Sequence, residues 1–208
     1  MDLKRLKDVT GVILAGGSSR RMGRSKWSLK LAGKELIFWT VQALQPVVGE
    51  IIIVKRPEQR IEVPGVKAVN DDLSYPPSAL RGIVAGLMES KTGWSFFCGC
   101  DMPFIQPELV KFLFDLTPGY KGVIPVLEDG PHPLHSFYHK DLIGQIRENL
   151  ETKSLKLLEI AGEPEIRRVT LKDLDGFNLD PTSFFNINTP EDFRRAEIMI
   201  AARRDGSG

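Results

Sequence analysis

The chain has 208 residues, 42% of them hydrophobic and 26% charged, with a formal net charge of +1. That length holds one substantial core, and the composition excludes a disordered or fibrous chain. The near-neutral balance gives no global basic field for a nucleic-acid duplex, so any local cluster of cations needs a local reason.

One domain over residues 1–208 is expected. The amino-terminal MDLKRLKD alternates charge with leucine and lacks the apolar run of a secretory signal or membrane span. A cytoplasmic protein with no membrane and no nucleic-acid partner is expected. Next, β-rich runs alternate with longer amphipathic ones: GVILA then ELIFWTVQALQ, EIIIVKR then SALRGIVAGLMES, WSFFCGCD then PELVKFLFDL, KGVIPV then KDLIGQIRENL. The alternation predicts repeated strand and crossover helix. Runs as apolar as Ile51 to Val54 and Trp94 to Cys98 predict strands buried on both faces. The fold class is therefore α/β, a doubly wound, mostly parallel sheet with helices on both faces.

Within that order, Gln106 before Pro107 and Glu108 marks a helix start, and Thr189 before Pro190, Glu191 and Asp192 marks the last one. That helix is expected to run through FRRAEIMIAARR, leaving residues 204–208 as a mobile tail. The stretch from Ala161 to Asn188 is rich in turn formers and reads as an extended loop or an antiparallel edge strand. Cys98 and Cys100 stand two apart in a predicted strand, too far separated by extended backbone to bridge. CGC without a second Cys or His pair is also too few ligands for zinc.

The most charged short segment follows the first strand. In GVILAGGSSRRMGRSK, Gly16 and Gly17 let backbone N–H groups approach an anion closely. Arg20, Arg21, Arg24 and Lys26 follow at once. These cations would repel one another in an empty loop, whereas a nucleoside triphosphate, with about four negative charges at neutral pH, relieves that repulsion by charge-assisted bonds. The first strand-to-helix loop of an open parallel sheet is also a preferred phosphate cradle. Neither G-x-G-x-x-G nor the P-loop fits, because the glycines are adjacent and Gly23 is followed by Arg24 and Ser25.

Three further segments carry polar groups at strand ends. FFCGCDMPF puts Asp101 at the end of a buried strand, where a hard carboxylate oxygen suits a divalent cation such as Mg2+ beside a polyphosphate. NDDLSYPPSALRGIVAGL offers Asp71 or Asp72 as acceptors for the N–H groups of a guanine edge. FFNINTPEDF is expected to end a strand with the amides of Asn186 and Asn188 on one face, suited to a polar ligand such as a phosphate or to satisfying backbone. HPLHSFYHKDL carries three histidines, and is expected to be an acceptor-facing loop rather than a metal site.

The order LAGGSSRRMGRSK followed by LAGKEL resembles the signature of the MobA-type nucleotidyltransferases. Gly16, Gly17, Ser19, Arg21, Met22, Gly23 and Lys26 fall on the family's positions, as do Gly33, Lys34 and Leu36. The resemblance runs from Gly11 to about Arg195. It also takes in CDMPF with its magnesium-binding Asp, Gly82, Ala85 and Gly86 of a G-P-L-A-G element in which Ile83 replaces proline, and Pro133, Leu134, His135 and Tyr138 of a P-L-H-x-x-Y element. It implies a Rossmann-like fold of the nucleotide-diphospho-sugar transferase type. The implied activity is molybdenum cofactor guanylyl transfer, joining GMP from GTP to the phosphate of molybdopterin and releasing pyrophosphate. Arg21, Lys26 and Asp101 are then expected as catalytic residues, with Mg2+ on Asp101. Leu14, Ala15, Gly16, Gly17, Ser19, Lys26, Asp71, Asp72, Gly82 and Asp101 are expected to bind the nucleotide, and His135, Asn186 and Asn188 the acceptor. Expected partners are GTP, molybdopterin, and the enzymes that deliver the cofactor or accept it. The N-x-N-T-P-E-D sequence favours GTP over CTP. Transfer of another nucleotide to a phosphorylated small molecule, or nucleotide-binding regulation without turnover, stays open on sequence alone.

Overall fold

A computed structural model of the chain describes residues 6–17, 25–152, 163–175, 177 and 180–204. In chain order, β1 is Leu6–Leu14, and a 3-10 turn at Lys26–Ser28 leads to the short hairpin β2 (Lys30–Leu31) and β3 (Lys34–Glu35). Then come α1 (Leu36–Leu44), β4 (Val48–Lys55), β5 (Lys67–Asn70), α2 (Ala79–Glu89), β6 (Trp94–Gly99) and α3 (Pro107–Asp115). The second half holds β7 (Gly122–Leu127), β8 (Gly130–Pro131), β9 (His135–His139), α4 (Ile143–Glu151), β10 (Ile166–Thr170) and α5 (Pro190–Arg204). No described helix is long and apolar enough to cross a membrane.

The main sheet runs β10-β7-β9-β6-β1-β4-β5, with β8 paired to β7. Its pairings are parallel except where β9 meets β6 and β7 and where β8 meets β7. From β1 the chain adds β4 and β5 on one side and then crosses back to place β6 on the other. The point of reversal lies between β1 and β6, where open α/β sheets hold their ligands beyond the carboxyl ends of the strands.

Period-two alternation explains why the strands are apolar throughout. Val9, Ile13, Ile53, Phe96, Val123 and Phe137 turn to one face and meet α1 and α3 through Ile37, Leu44, Leu109 and Leu113. Val12, Ile52, Phe97, Ile124 and Tyr138 turn to the other and meet α2 and α4 through Leu80, Ile83, Ile146 and Leu150. A smaller cluster joins Leu31, Leu36, Phe104 and Ile187 to Ala196 and Ile200 of α5. The helix starts marked in the sequence, at Pro107 and Pro190, begin α3 and α5. Ser78 caps α2 by accepting from Arg81 N–H at 3.3 Å, and at α5 Thr189 Oγ1 accepts from Asp192 N–H while Asp192 Oδ2 accepts from Thr189 N–H.

Three sequence expectations change. The HPLHSFYHKDL segment, expected as a loop, contributes β9, because Phe137 and Tyr138 are fully buried on opposite faces and complete the two cores. The edge strand β10 runs parallel to β7, not antiparallel. The FFNIN segment forms no strand; a 3-10 turn at Pro181–Phe184 leads into extended chain whose Ile187 N–H donates to Asp101 O at 3.0 Å. Residues 205–208 of the expected tail lie outside the described residues, and Arg204 is still helical.

The close seat of α2 on the sheet depends on Gly86, where a Cβ would lie 2.6 Å from Val12 Cγ1 and 2.9 Å from the Phe97 ring. Gly86→Ala is expected to lower stability by about 1–3 kcal/mol through overpacking, read as a lower urea midpoint with unchanged slope.

Candidate active site at the β1/β6 switch point

Leu14 is in register with Val54 on one side and Gly99 on the other. Beyond that row Ala15 N–H donates to Val54 O at 2.8 Å and Cys100 N–H donates to Leu14 O at 3.1 Å, so both chains leave the sheet at the same level. A cavity of about 600 Å³ opens there. Its wall takes Leu14 from the end of β1, Ala15, Gly16 and Gly17 from the first loop, Asp101 from the turn after β6, and Asn186 and Asn188 from the chain entering α5. Ser19 and Arg21 lie outside the described residues.

One charged contact joins three distant parts of the chain. Lys26 Nζ donates to Asp101 Oδ2 at 2.6 Å and to Asn188 Oδ1 at 2.5 Å. The Lys26 and Asp101 side chains are 17% and 14% exposed, so the charges meet in a largely water-excluded place that still opens to the cavity. Asn188 is held by its N–H to Asp192 Oδ2, the same carboxylate that caps α5. Burial raises the Asp192 carboxyl, but the Asn188 and Thr189 bonds outweigh it and leave it below the usual range. Asn186 turns its amide to Phe184 O at 3.0 Å.

A divalent cation fits Asp101. A Cβ at Gly99 would overlap Asp101 Oδ1, so the glycine makes room for the carboxylate against the strand end. Among the described residues no group of three or more His, Cys, Asp or Glu side chains is gathered as a metal cluster. One carboxylate with the remaining positions left to phosphate and water is how Mg2+ is commonly held at nucleotide sites. The cysteines beside it are free and buried, and burial pushes both thiols up.

The two candidate base-reading acids separate. Asp71 lines the cavity and pairs through Oδ2 with Arg81 at 2.5 Å, with the side chains 8% and 5% exposed. Arg81 also donates to Tyr75 O at 2.9 Å. Asp72 is off the cavity wall, where its Oδ1 accepts from Ser74 N–H at 2.9 Å. The Ser74 N–H and hydroxyl hold that carboxyl below its ordinary range. Gly82 lies on the wall, and a Cβ there would come 3.2 Å from a Leu14 methyl, so its smallness also serves the packing of α2.

His135 does not face the acceptor side. It opens β9, so strand alternation turns its ring into the core, fully buried and flanked by Phe96 at 5.2 Å and Phe184 at 4.5 Å between ring centroids. Burial, aided by His132, pushes its pKa down to about 3. The cavity wall instead takes Pro131, His132, Pro133 and Leu134, with His132 Nε2 2.8 Å from Asp129 Oδ1.

Sequence reasoning also missed Arg56 and Arg81. Arg56 carried the signal of a charged residue just past an apolar strand, where parallel sheets place their ligands. Arg81 carried that of a charge set among Leu80, Gly82 and Ile83 in the apolar first two turns of a helix.

A family model described as "MobA-like NTP transferase domain" matches residues 11–169. The chain belongs to this family. A probable molybdenum cofactor guanylyltransferase of Natranaerobius thermophilus is 35% identical over 93% of this chain and 97% of its own. Another from Pelotomaculum thermopropionicum is 33% identical over 95% of this chain and 96% of its own. Among solved structures, molybdopterin-guanine dinucleotide biosynthesis protein A from Archaeoglobus fulgidus superposes with a TM-score of 0.79 at 28% identity, covering 92% of this chain and 98% of that one. The chain is thus a nucleotidyltransferase, with the mixed, mostly parallel sheet of that family.

Two outcomes follow for stability. Arg81→Met strands the buried Asp71 carboxylate and is expected to cost about 3–5 kcal/mol in urea unfolding, with Asp71→Asn in the same chain restoring part of the loss. His135 stays neutral in the native state while the unfolded chain takes up its proton near pH 6.5, so stability is full above pH 6.5 and falls as pH drops toward about 3. The urea midpoint is expected to fall between pH 7 and pH 5, and to fall less in His135→Leu.

Proposed function

We propose that this chain transfers GMP from GTP to the phosphate of molybdopterin and releases pyrophosphate. The relatives named as guanylyltransferases over nearly their full length support this reading, and the observation that carries it is Lys26 meeting Asp101 and Asn188 at the cavity mouth. A cation and a carboxylate stand one hydrogen bond apart, an arrangement that would suit a triphosphate and its divalent counter-ion. Lys26, with Arg21 from the first loop, would bind the triphosphate through charge-assisted bonds. The glycines at 16 and 17 would let backbone N–H groups approach it.

Asp101 would hold the metal, taken here as Mg2+. When bound, the ion neutralises charge on the α-phosphate and on the departing pyrophosphate. An oxygen of the acceptor's phosphate attacks the α-phosphorus, the bond from that phosphorus to the bridging oxygen breaks, and pyrophosphate leaves with the electron pair. The attacking oxygen is already anionic, so no general base is required. What the protein supplies is alignment and fixed charge. Asn186 and Asn188, on the side of the cavity away from β4 and β5, would orient the acceptor, and Asn188 also fixes Lys26.

Pyrophosphate release measured with GTP, Mg2+ and molybdopterin tests the reading. Lys26→Ala and Asp101→Ala are each expected to lose on the order of 10²–10³ in turnover, with little release when molybdopterin is omitted. Turnover in Asp101→Ala equal to that of the unaltered protein overturns the assignment, and stronger turnover with CTP overturns the choice of nucleotide.

A further inference from the structure

Arg56 is the residue after β4, and its side chain forms cavity wall next to Val54 and Asp71. By strand order it lies on the β4 and β5 side of the first loop, whereas Asp101 follows β6 on the opposite side. Lys26, Asp101 and Arg56 line one cavity, so a nucleotide with its phosphates and metal at the Lys26 and Asp101 contact has room for its base on the Arg56 side.

The position of Arg56 is built. Its N–H donates to Gln59 Oε1 at 2.7 Å, Gln59 N–H donates back to Arg56 O at 3.1 Å, and Gln59 Nε2 donates to Ala15 O at 3.0 Å. The arginine turn is therefore stapled to the glycine loop itself. A Cβ on Gly16 would lie 3.6 Å from Arg56 Cγ and 3.5 Å from Asp71 Oδ2, so the two side chains close on the same glycine. Neighbouring charge is already committed elsewhere. Asp71 is matched by Arg81 at 2.5 Å, and Lys55 Nζ turns to Asn70 Oδ1 at 3.0 Å. The carboxylate within 4.0 Å of Arg56, Glu58, is 69% exposed and screened by water.

A guanidinium offers N–H donors in a planar fork and no acceptor. Guanine presents O6 and N7 as two adjacent acceptors in one plane, the commonest target of a bidentate arginine. Adenine puts an amino donor in place of O6, and pyrimidines have no N7. A phosphate at this place would sit against the Asp71 carboxylate, which disfavours that use of the arginine.

We propose that Arg56 reads the O6 and N7 edge of the guanine and is a specificity-determining residue for the nucleotide. The proposal rests on the guanylyl-transfer reading above. The test is equilibrium binding, by titration calorimetry with Mg2+, of GTP, 7-deaza-GTP, ATP, CTP and inorganic pyrophosphate to the full chain and to Arg56→Ala and Arg56→Lys. The unaltered protein is expected to bind GTP about 10–100-fold more tightly than 7-deaza-GTP or ATP. In both variants that ratio collapses toward one, with pyrophosphate affinity unchanged; Arg56→Lys keeps the charge but not the fork. Equal weakening of GTP and 7-deaza-GTP in the variants, an unchanged ratio, or loss of pyrophosphate affinity overturns the assignment of Arg56. Tighter binding of CTP than GTP by the unaltered protein instead overturns the guanylyl reading itself.

Discussion

β1 and β6 run parallel and end in register, Leu14 beside Gly99, and everything at the site depends on that shared end point. The Cys100 N–H to Leu14 O bond carries the pairing one residue past the strand, so the glycine loop and Asp101 emerge on the same edge. Lys26 returns from the far side of the loop to close the gap onto Asp101. Parallel pairing in turn needs a crossover between the strands, and the helices that make it cover both faces of the sheet. The apolar cores thus have a functional consequence that no single core residue carries.

The two ion pairs in the cavity wall have different physical characters. Asp71 and Arg81 are each over nine-tenths buried, and Arg81 donates to Tyr75 O as well, so the pair braces the loop between β5 and α2. Lys26 and Asp101 are more open, and Lys26 shares its ammonium with a neutral amide. A desolvated pair holds shape, since separating it leaves a buried charge. A half-open pair can exchange partners, since both charges find a replacement in a phosphate and its counter-ion. The wall beside β5 is therefore rigid in charge, and the wall between β1 and β6 is exchangeable.

The legibility of the sequence follows the same physics. Runs such as Ile51–Val54 and Trp94–Cys98 announced a doubly covered sheet because burial on both faces leaves no polar alternation to confuse with a helix. β9 stayed hidden because Pro133, His132 and His139 surround its apolar pair, Phe137 and Tyr138, and look like loop. The same boundary explains the histidines. His132 precedes the strand and reaches the cavity, whereas His135 is its first residue and alternation sends it inward. Asn186 and Asn188 were legible as a pair, but not as chain outside the sheet, because what aligns them is a backbone bond to Asp101 that no local pattern encodes. Asp71 and Asp72 read alike in sequence. Only the partner ten residues on, Arg81, turns one of them to the cavity wall.

The site is also among the most non-local features of the fold. Lys26 is separated by 75 positions from Asp101 and by 162 from Asn188. Asn188 is held beside Lys26 by its N–H bond to Asp192, which caps α5, and by the bond of Ile187 N–H to Asp101 O. Contacts this distant in sequence carry a large loop-closure entropy that must be met before they form. The last helix therefore does more than cover the hairpin of β2 and β3. By holding Asn188 against Lys26, it makes the charge geometry at the start of the chain conditional on correct folding of its end. Loosening α5 would release Asn188 and free the Lys26 ammonium to move relative to Asp101, without disturbing the two large cores that α1 to α4 make with the sheet.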